Sequence, residues 1–211
     1  MKVVVFDWDG TVVDNFDHMY NVFTRQVLMG GGVVPSTSQF LETYEPPHQQ
    51  FLLKCGARIT DEEAWRVWLE TPILFGLHDG VTEVLQLLQT LQIPCYIATA
   101  NQEKRIREQL EKFSLASYFS GIYSEEHKHL SLLDIAQVHA DERRSDILYI
   151  GDMRVDMAAA VTAQVTGVGI ASSRHKDIHM KLLFGAGAKH VFPSMRHLHQ
   201  ALISNFRAES Y

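Results

Sequence analysis

The feature that most narrows what this chain can fold into is a repeated one: a short apolar run, rich in β-branched residues, that stops abruptly at a polar residue. Residues 2–6 run into Asp7-Trp8-Asp9-Gly10-Thr11, Ile93 to Ala98 into Thr99, Ile147 to Ile150 into Gly151-Asp152, and Val165 to Ile170 into Ala171-Ser172. Such runs read as strands buried on both faces. Between them apolar residues recur at helical spacing: Val84, Leu85, Leu87, Leu88 and Leu91, then Ile106, Leu110 and Phe113, then Leu132, Leu133, Ile135, Ala136 and Val138. Strand, helix, strand, helix predicts an α/β fold with a parallel sheet covered by helices on both faces. Ligands of such sheets gather beyond the carboxyl ends of the strands, and three of these ends carry Asp7, Thr99 and Asp152.

Residues 15–76 have a different texture. They hold Tyr20, Tyr44, Trp65 and Trp68, a Gly30-Gly31-Gly32 break and the Pro46-Pro47 pair, and no good strand. Helix breaks are expected near 30–36 and 44–48. About sixty residues are too many for an ordinary connection, so a small helical cap subdomain over 15–76 is predicted. The α/β core then comprises 1–14 and 77–211. Near the end, an edge strand around Lys189 to Phe192 and a closing helix from Ser194 to Ile203 are expected.

Residues two apart on a strand share a face, so Asp7 and Asp9 point the same way while Trp8 turns into the packing. Taken alone, Asp-x-Asp is more often a turn former, Thr99 an ordinary helix cap, and Asp152 with Asp156 a cap and a solvated helix face. Together they gather four carboxylates, and each close pair repels by about 4 kcal/mol at an effective dielectric near 20. Something positive must sit among them. Carboxylate oxygens with a backbone carbonyl, and no His or Cys motif nearby, suit Mg²⁺. Lys128 is the candidate fixed positive charge. Thr99, with Ala100 and Asn101 behind it, offers a hydroxyl and backbone N–H groups to an anion.

The 19 Lys and Arg residues against 25 Asp and Glu leave the chain at −6, which argues against nucleic acid or an anionic membrane as partner. Cys55 and Cys95 lack metal-ligand spacing and read as free thiols of a reducing compartment. The residues after Lys2 are too few for a signal segment, and no 18-residue apolar run follows, so a cytoplasmic location is expected.

Asp7-Trp8-Asp9-Gly10-Thr11, then Thr99, then Lys128, then Gly151-Asp152-Met153-Arg154-Val155-Asp156 resemble the four ordered motifs of the haloacid dehalogenase superfamily. The resemblance spans nearly the whole chain, including Asp79-Gly80-Val81, and is closest to the phosphoglycolate phosphatase-like branch with its inserted helical cap. It implies a Rossmann-like core and a Mg²⁺-dependent phosphatase acting on a small phosphorylated metabolite. Asp7 would be the nucleophile that becomes an aspartyl-phosphate, and Asp9 the general acid and then base. Asp7, the Asp9 carbonyl and Asp152 would hold Mg²⁺, with Asp156 ordering the outer shell or pairing with Lys128. Gly10, Thr99, Ala100, Asn101 and Lys128 would join Asp7 around the phosphate.

The family pattern usually has proline after its third-motif lysine, whereas this chain reads His127-Lys128-His129. Lys128 therefore rests on its spacing to Asp152, and Lys176, the nearest rival, falls after the fourth motif. His127 and His129 read as chance neighbours, and His175 with His179 as a helix surface. A phosphomutase would keep the same two aspartates. A phosphonate hydrolase would need a cap lysine, for which Lys54 is the one candidate, and a silent binding module would not need complete motifs. Arg25, Tyr44, His48, Gln49, Lys54 and Arg58 are the polar cap residues that could reach a substrate.

Overall fold

The computed structural model of the chain describes residues 1–45, 47–72, 75–171 and 174–208. Pro46, in the second predicted helix break, and Ser172, at the fourth predicted strand end, lie outside these residues. In chain order the elements are β1 (Val3–Phe6), β2 (Val13–Asp14), α1 (Phe16–Met29), α2 (Thr37–Thr43), α3 (His48–Lys54), α4 (Asp61–Glu70), β3 (Gly76–Leu77), α5 (Val81–Thr90) and β4 (Cys95–Thr99). They continue as α6 (Glu103–Lys112), β5 (Gly121–Ser124), α7 (Lys128–Val138), β6 (Ile147–Gly151), α8 (Arg154–Ala163), β7 (Thr166–Ile170), α9 (Lys176–Gly185), β8 (His190–Phe192) and α10 (Met195–Ala208). The chain divides into two compact units, Met1–Val13 with Leu77–Tyr211, and Asp14–Gly76.

The larger unit is built on a six-stranded sheet in the order β5-β4-β1-β6-β7-β8, and each neighbouring pair is parallel. β1 lies in the middle because its four residues are all apolar and buried, so neither ladder edge can face water. Its alternation feeds two cores. Val3 and Val5 pack with Leu132 and Ile135 of α7 and with Ala159, Ala160 and Ala163 of α8. Phe6 faces the opposite side, where its ring meets Phe119 edge-on at 6.0 Å. Right-handed crossovers put α5 and α6 on that second face, since the chain moves from β1 through β4 to β5, then returns through α7 to β6. The reversal at β1 makes a crevice at its carboxyl end.

Three strands are absent from the sequence reading: β2 and β3, each only two residues long, and β5. β5 contributes only Gly121, Ile122, Tyr123 and Ser124 at the sheet edge, and none of them is fully buried, so its hydrophobic signal is weak. The strand expected at Ile93 to Ala98 starts later, at Cys95, because Ile93 still closes the end of α5 by donating its N–H to the Leu88 carbonyl.

The smaller unit is helical and has its own aromatic core, in which Phe23, Phe40, Tyr44 and Phe51 stack and meet edge-on. α2 and α4 each begin with a capping box, Ser36 with Gln39 and Thr60 with Glu63. Gln26 donates its amide N–H to the Ala64 carbonyl, which leaves Gln26 Oε1 to accept from His48 Nε2 at 2.8 Å. That bond fixes the neutral His48 tautomer, and burial pushes its pKa down to about 4 against a weaker opposing pull from Asp61. The unfolded chain therefore binds a proton near pH 6.5 that the folded chain refuses until about 4. Stability from this site is whole above pH 6.5 and is lost as pH falls through that window. Urea unfolding at pH 7.5, 5.5 and 4 should show a loss of about 2 kcal/mol, allowing for the partial exposure of the ring. His48→Gln should remove most of that slope.

Candidate active site

The site belongs entirely to the larger unit. Asp7 follows β1 directly, and its N–H still donates to the Ile150 carbonyl of β6 at 2.8 Å, so its backbone remains part of the ladder. Asp7 is buried, with 3% of its surface exposed. The chain then turns at Gly10, whose φ of +78° is left-handed. A Cβ there would also lie 2.6 Å from Asp152 Cγ, so the turn and the close approach of that carboxylate both demand glycine. Thr11 donates its hydroxyl to Asp152 Oδ1 at 2.9 Å, and Trp8 is buried with its indole N–H on Gln109.

Asp152 and Asp156 arrive from the far side of β1, at the end of β6 and in the first turn of α8. One carboxylate oxygen from each of Asp7, Asp152 and Asp156 lies within 4.8 Å of the others. Gly151 permits this crowding, since a Cβ there would stand 2.6 Å from Asp156 Cγ. Lys128, the first residue of α7, reaches in with Nζ 2.9 Å from Asp7 Oδ1 and 2.7 Å from Asp156 Oδ1. Lys176, by contrast, is exposed at the start of α9.

Burial pushes the Asp7 carboxyl up to about 7, with Lys128 pulling the other way and Asp156 and Asp9 adding to the rise. Burial, then Asp156 and Asp7, holds Asp152 well above the usual carboxylate range. For Lys128 burial alone would favour the neutral amine, but Asp156 and Asp7 outweigh it and keep the ammonium charged far above its ordinary range. Three carboxylates and one ammonium carry −3 + 1 = −2 when ionised. A divalent cation cancels that charge, and an all-oxygen donor set without Cys or His suits Mg²⁺, so the residues fit such an ion.

Thr99 closes β4 and is buried; its Oγ1 accepts the Asn101 N–H at 3.1 Å. Ala100 is exposed between them. The structure thus brings Asp7, Gly10, Lys128, Asp152 and Asp156 together at the end of β1, with Asp9 and the Thr99 to Asn101 loop beside them. Asp9 does not share the carboxylate cluster: its Oδ2 accepts from the Asn101 amide at 3.0 Å.

Residues 4–170 match the haloacid dehalogenase-like hydrolase family. The chain belongs to this family. Solved structures similar to this hydrolase include a haloacid dehalogenase-like protein of unknown function from Agrobacterium tumefaciens, 21% identical, covering 98% of this chain and 99% of that one at a TM-score of 0.78. A predicted phosphoglycolate phosphatase from Haemophilus somnus is 16% identical, covering 96% and 98% at 0.73. An inferred β-phosphoglucomutase from Thermotoga maritima is 19% identical, covering 97% and 99% at 0.67. At these identities the likeness establishes the fold. No curated protein matches the sequence. Among the described residues no helix is long and apolar enough to cross a membrane.

Several supporting residues of this haloacid dehalogenase-like site were not legible beforehand. Tyr149, inside β6, places its hydroxyl 3.0 Å from Asp156 Oδ1, and the Met153 N–H donates to Asp156 Oδ2 at 2.9 Å. Both Asp156 oxygens are therefore engaged. His179 was expected on a helix surface and is instead buried on α9, where Nε2 donates to the Asp152 carbonyl. His175 stands just before α9 as its cap residue, and the i, i+4 spacing of the pair carries no information about the strand end packed against His179. Of the polar residues in the smaller unit, Tyr44 and His48 are taken up by its core, Gln49 bonds Asp61, and Arg25 donates to Thr71 at 2.8 Å. Lys54 and Arg58 are exposed.

Proposed function

We propose that this protein is a Mg²⁺-dependent phosphatase that hydrolyses a small phosphate monoester through an aspartyl-phosphate on Asp7. The observation that carries the reading is Lys128 Nζ bridging Asp7 and Asp156 beside Asp152, a buried −2 cluster at the end of the central strand. Asp7, the Asp9 carbonyl and Asp152 would hold the ion, which would supply charge neutralisation to the phosphoryl oxygens. Asp156, with both oxygens engaged, fixes Lys128 and supports the ion's surroundings.

In the first half-reaction an Asp7 oxygen bonds to phosphorus as the bond to the leaving oxygen breaks, and the proton of Asp9 moves to that oxygen. In the second, Asp9 takes a proton from water, the water oxygen bonds to phosphorus, and Asp7 is released with inorganic phosphate. Lys128, the Thr99 hydroxyl and the backbone around Gly10, Ala100 and Asn101 hold the phosphoryl oxygens. A loose phosphoryl transition state needs mainly this positioning and neutralisation. The unit Asp14–Gly76 serves as the cap that selects the substrate, and the free thiols Cys55 and Cys95 support a cytoplasmic location.

The reading is tested by incubating the purified protein with Mg²⁺ and a panel of phosphorylated metabolites and measuring inorganic phosphate. Release from one or a few monoesters is expected. Isomerised sugar phosphate without free phosphate would point to a mutase, in keeping with the Thermotoga maritima likeness, and inertness across the panel would sink the enzymatic reading.

A further inference from the structure

Asn101 donates a hydrogen bond to Asp9, and each polar group of Asn101 has a partner. Its backbone N–H goes to Thr99 Oγ1 at 3.1 Å, and its carbonyl accepts from Ser124 Oγ at 2.6 Å. The β4–β5 ladder sets Thr99 and Ser124 opposite each other, so two adjacent strand ends grip one residue. Its side-chain Oδ1 accepts the Gln102 N–H at 2.8 Å, and Nδ2 donates to Asp9 Oδ2 at 3.0 Å. The amide can face only one way. Turning it over would set an N–H against the Gln102 N–H and an oxygen against a carboxylate oxygen.

We infer that Asn101 is the positioning residue for Asp9, its Nδ2 holding that carboxyl against the second-motif loop; this rests on the acid role proposed above for Asp9. A neutral amide donor serves both half-reactions, because it neither gains nor loses a proton while Asp9 alternates between acid and base. The bond joins chain segments 92 residues apart, on the first and second motif loops. It therefore ties the proton donor to the loop that carries Thr99, and a phosphoryl group held there meets an acid already aimed.

A proton donor matters in proportion to the basicity of the leaving group. p-Nitrophenolate departs without protonation, whereas a simple alkoxide does not. The test measures kcat with Mg²⁺ for p-nitrophenyl phosphate and for an alkyl phosphate that the enzyme accepts, in wild type, Asn101→Ala, Asp9→Asn and the double variant. Asn101→Ala should lower the alkyl-to-aryl ratio of kcat by about tenfold, and Asp9→Asn by about a hundredfold. The double variant should match Asp9→Asn alone, because Asn101 acts through Asp9. Inhibition by inorganic phosphate should stay within a few-fold, because the side-chain substitution leaves the Asn101 backbone in place and Lys128 and Thr99 untouched. Should Asn101→Ala not fold, Asn101→Asp keeps the acceptor for Gln102 and removes the donor, and the same fall in ratio is expected. An unchanged ratio in the Asn101 variants, while Asp9→Asn lowers it, overturns the inference and leaves the phosphatase reading intact. A further fall in the double variant also overturns it. An unchanged ratio in Asp9→Asn removes the acid role itself, and the inference with it.

Discussion

Asp7→Asn is expected to abolish turnover of any phosphate monoester the enzyme accepts, with kcat falling by at least about 10⁴-fold. The amide oxygen is too weak a nucleophile to form the phosphoryl bond, and no neighbouring carboxylate can take over, because Thr11 occupies one oxygen of Asp152 and Asp156 is engaged by Lys128, Tyr149 and Met153. The fold should survive the change. Burial raises the Asp7 carboxyl to about 7, so in metal-free protein its ionised form opposes folding. The sign follows from proton counting: between about pH 4 and 7 the folded chain holds a proton that the unfolded chain has released. Stability from this group is thus whole at low pH and lost as pH rises through that window. Asp7→Asn removes that part of the slope, and at pH 8 in chelator it should melt no lower than wild type. Thermal melts and an aryl phosphate assay on one preparation check both halves. Residual activity near the wild-type level would refute Asp7 as nucleophile.

Chelation has the second large effect. EDTA should reduce phosphatase activity to background, and excess Mg²⁺ should restore it, because without the ion nothing offsets the repulsion between the phosphoryl oxygens and the acidic groups of Asp7, Asp152 and Asp156. The same ion should stabilise the folded chain, which alone gathers Asp7, Asp152 and Asp156. At a Mg²⁺ concentration a hundred times its Kd the gain is about 2.7 kcal/mol. For a chain of this size that corresponds to about 5–10 °C in melting temperature. Melting curves in EDTA and in rising Mg²⁺ read this directly, and a curve indifferent to the ion, with activity equally indifferent, would rule out the proposed metal site.

Much of the architecture was readable because its causes are local. A run such as Val3 to Phe6 is apolar at every position, which marks a strand buried on both faces wherever it lies. Asp7 and Asp152 stood out because a charge that ends such a run is costly unless it has a use. β5 was not readable, since a four-residue edge strand that is only half-buried leaves no periodic trace. The surroundings of the carboxylates were hidden for a different reason. Tyr149 looks like any apolar strand residue, His179 like any helix residue, and Asn101 like one polar member of a loop. Their partners Asp156, Asp152 and Asp9 lie 7, 27 and 92 residues away.

By itself, then, the order of residues along the chain determined the alternation of strand and helix and which residues stand at the strand ends, because burial pattern and turn chemistry are properties of neighbours. Which oxygen meets which donor was decided only by the folded chain. The parallel ladders through β1 bring Asp7, Thr99 and Asp152 to one edge, and at hydrogen-bond distances the identity of a partner depends on ångström-scale placement that no linear spacing encodes.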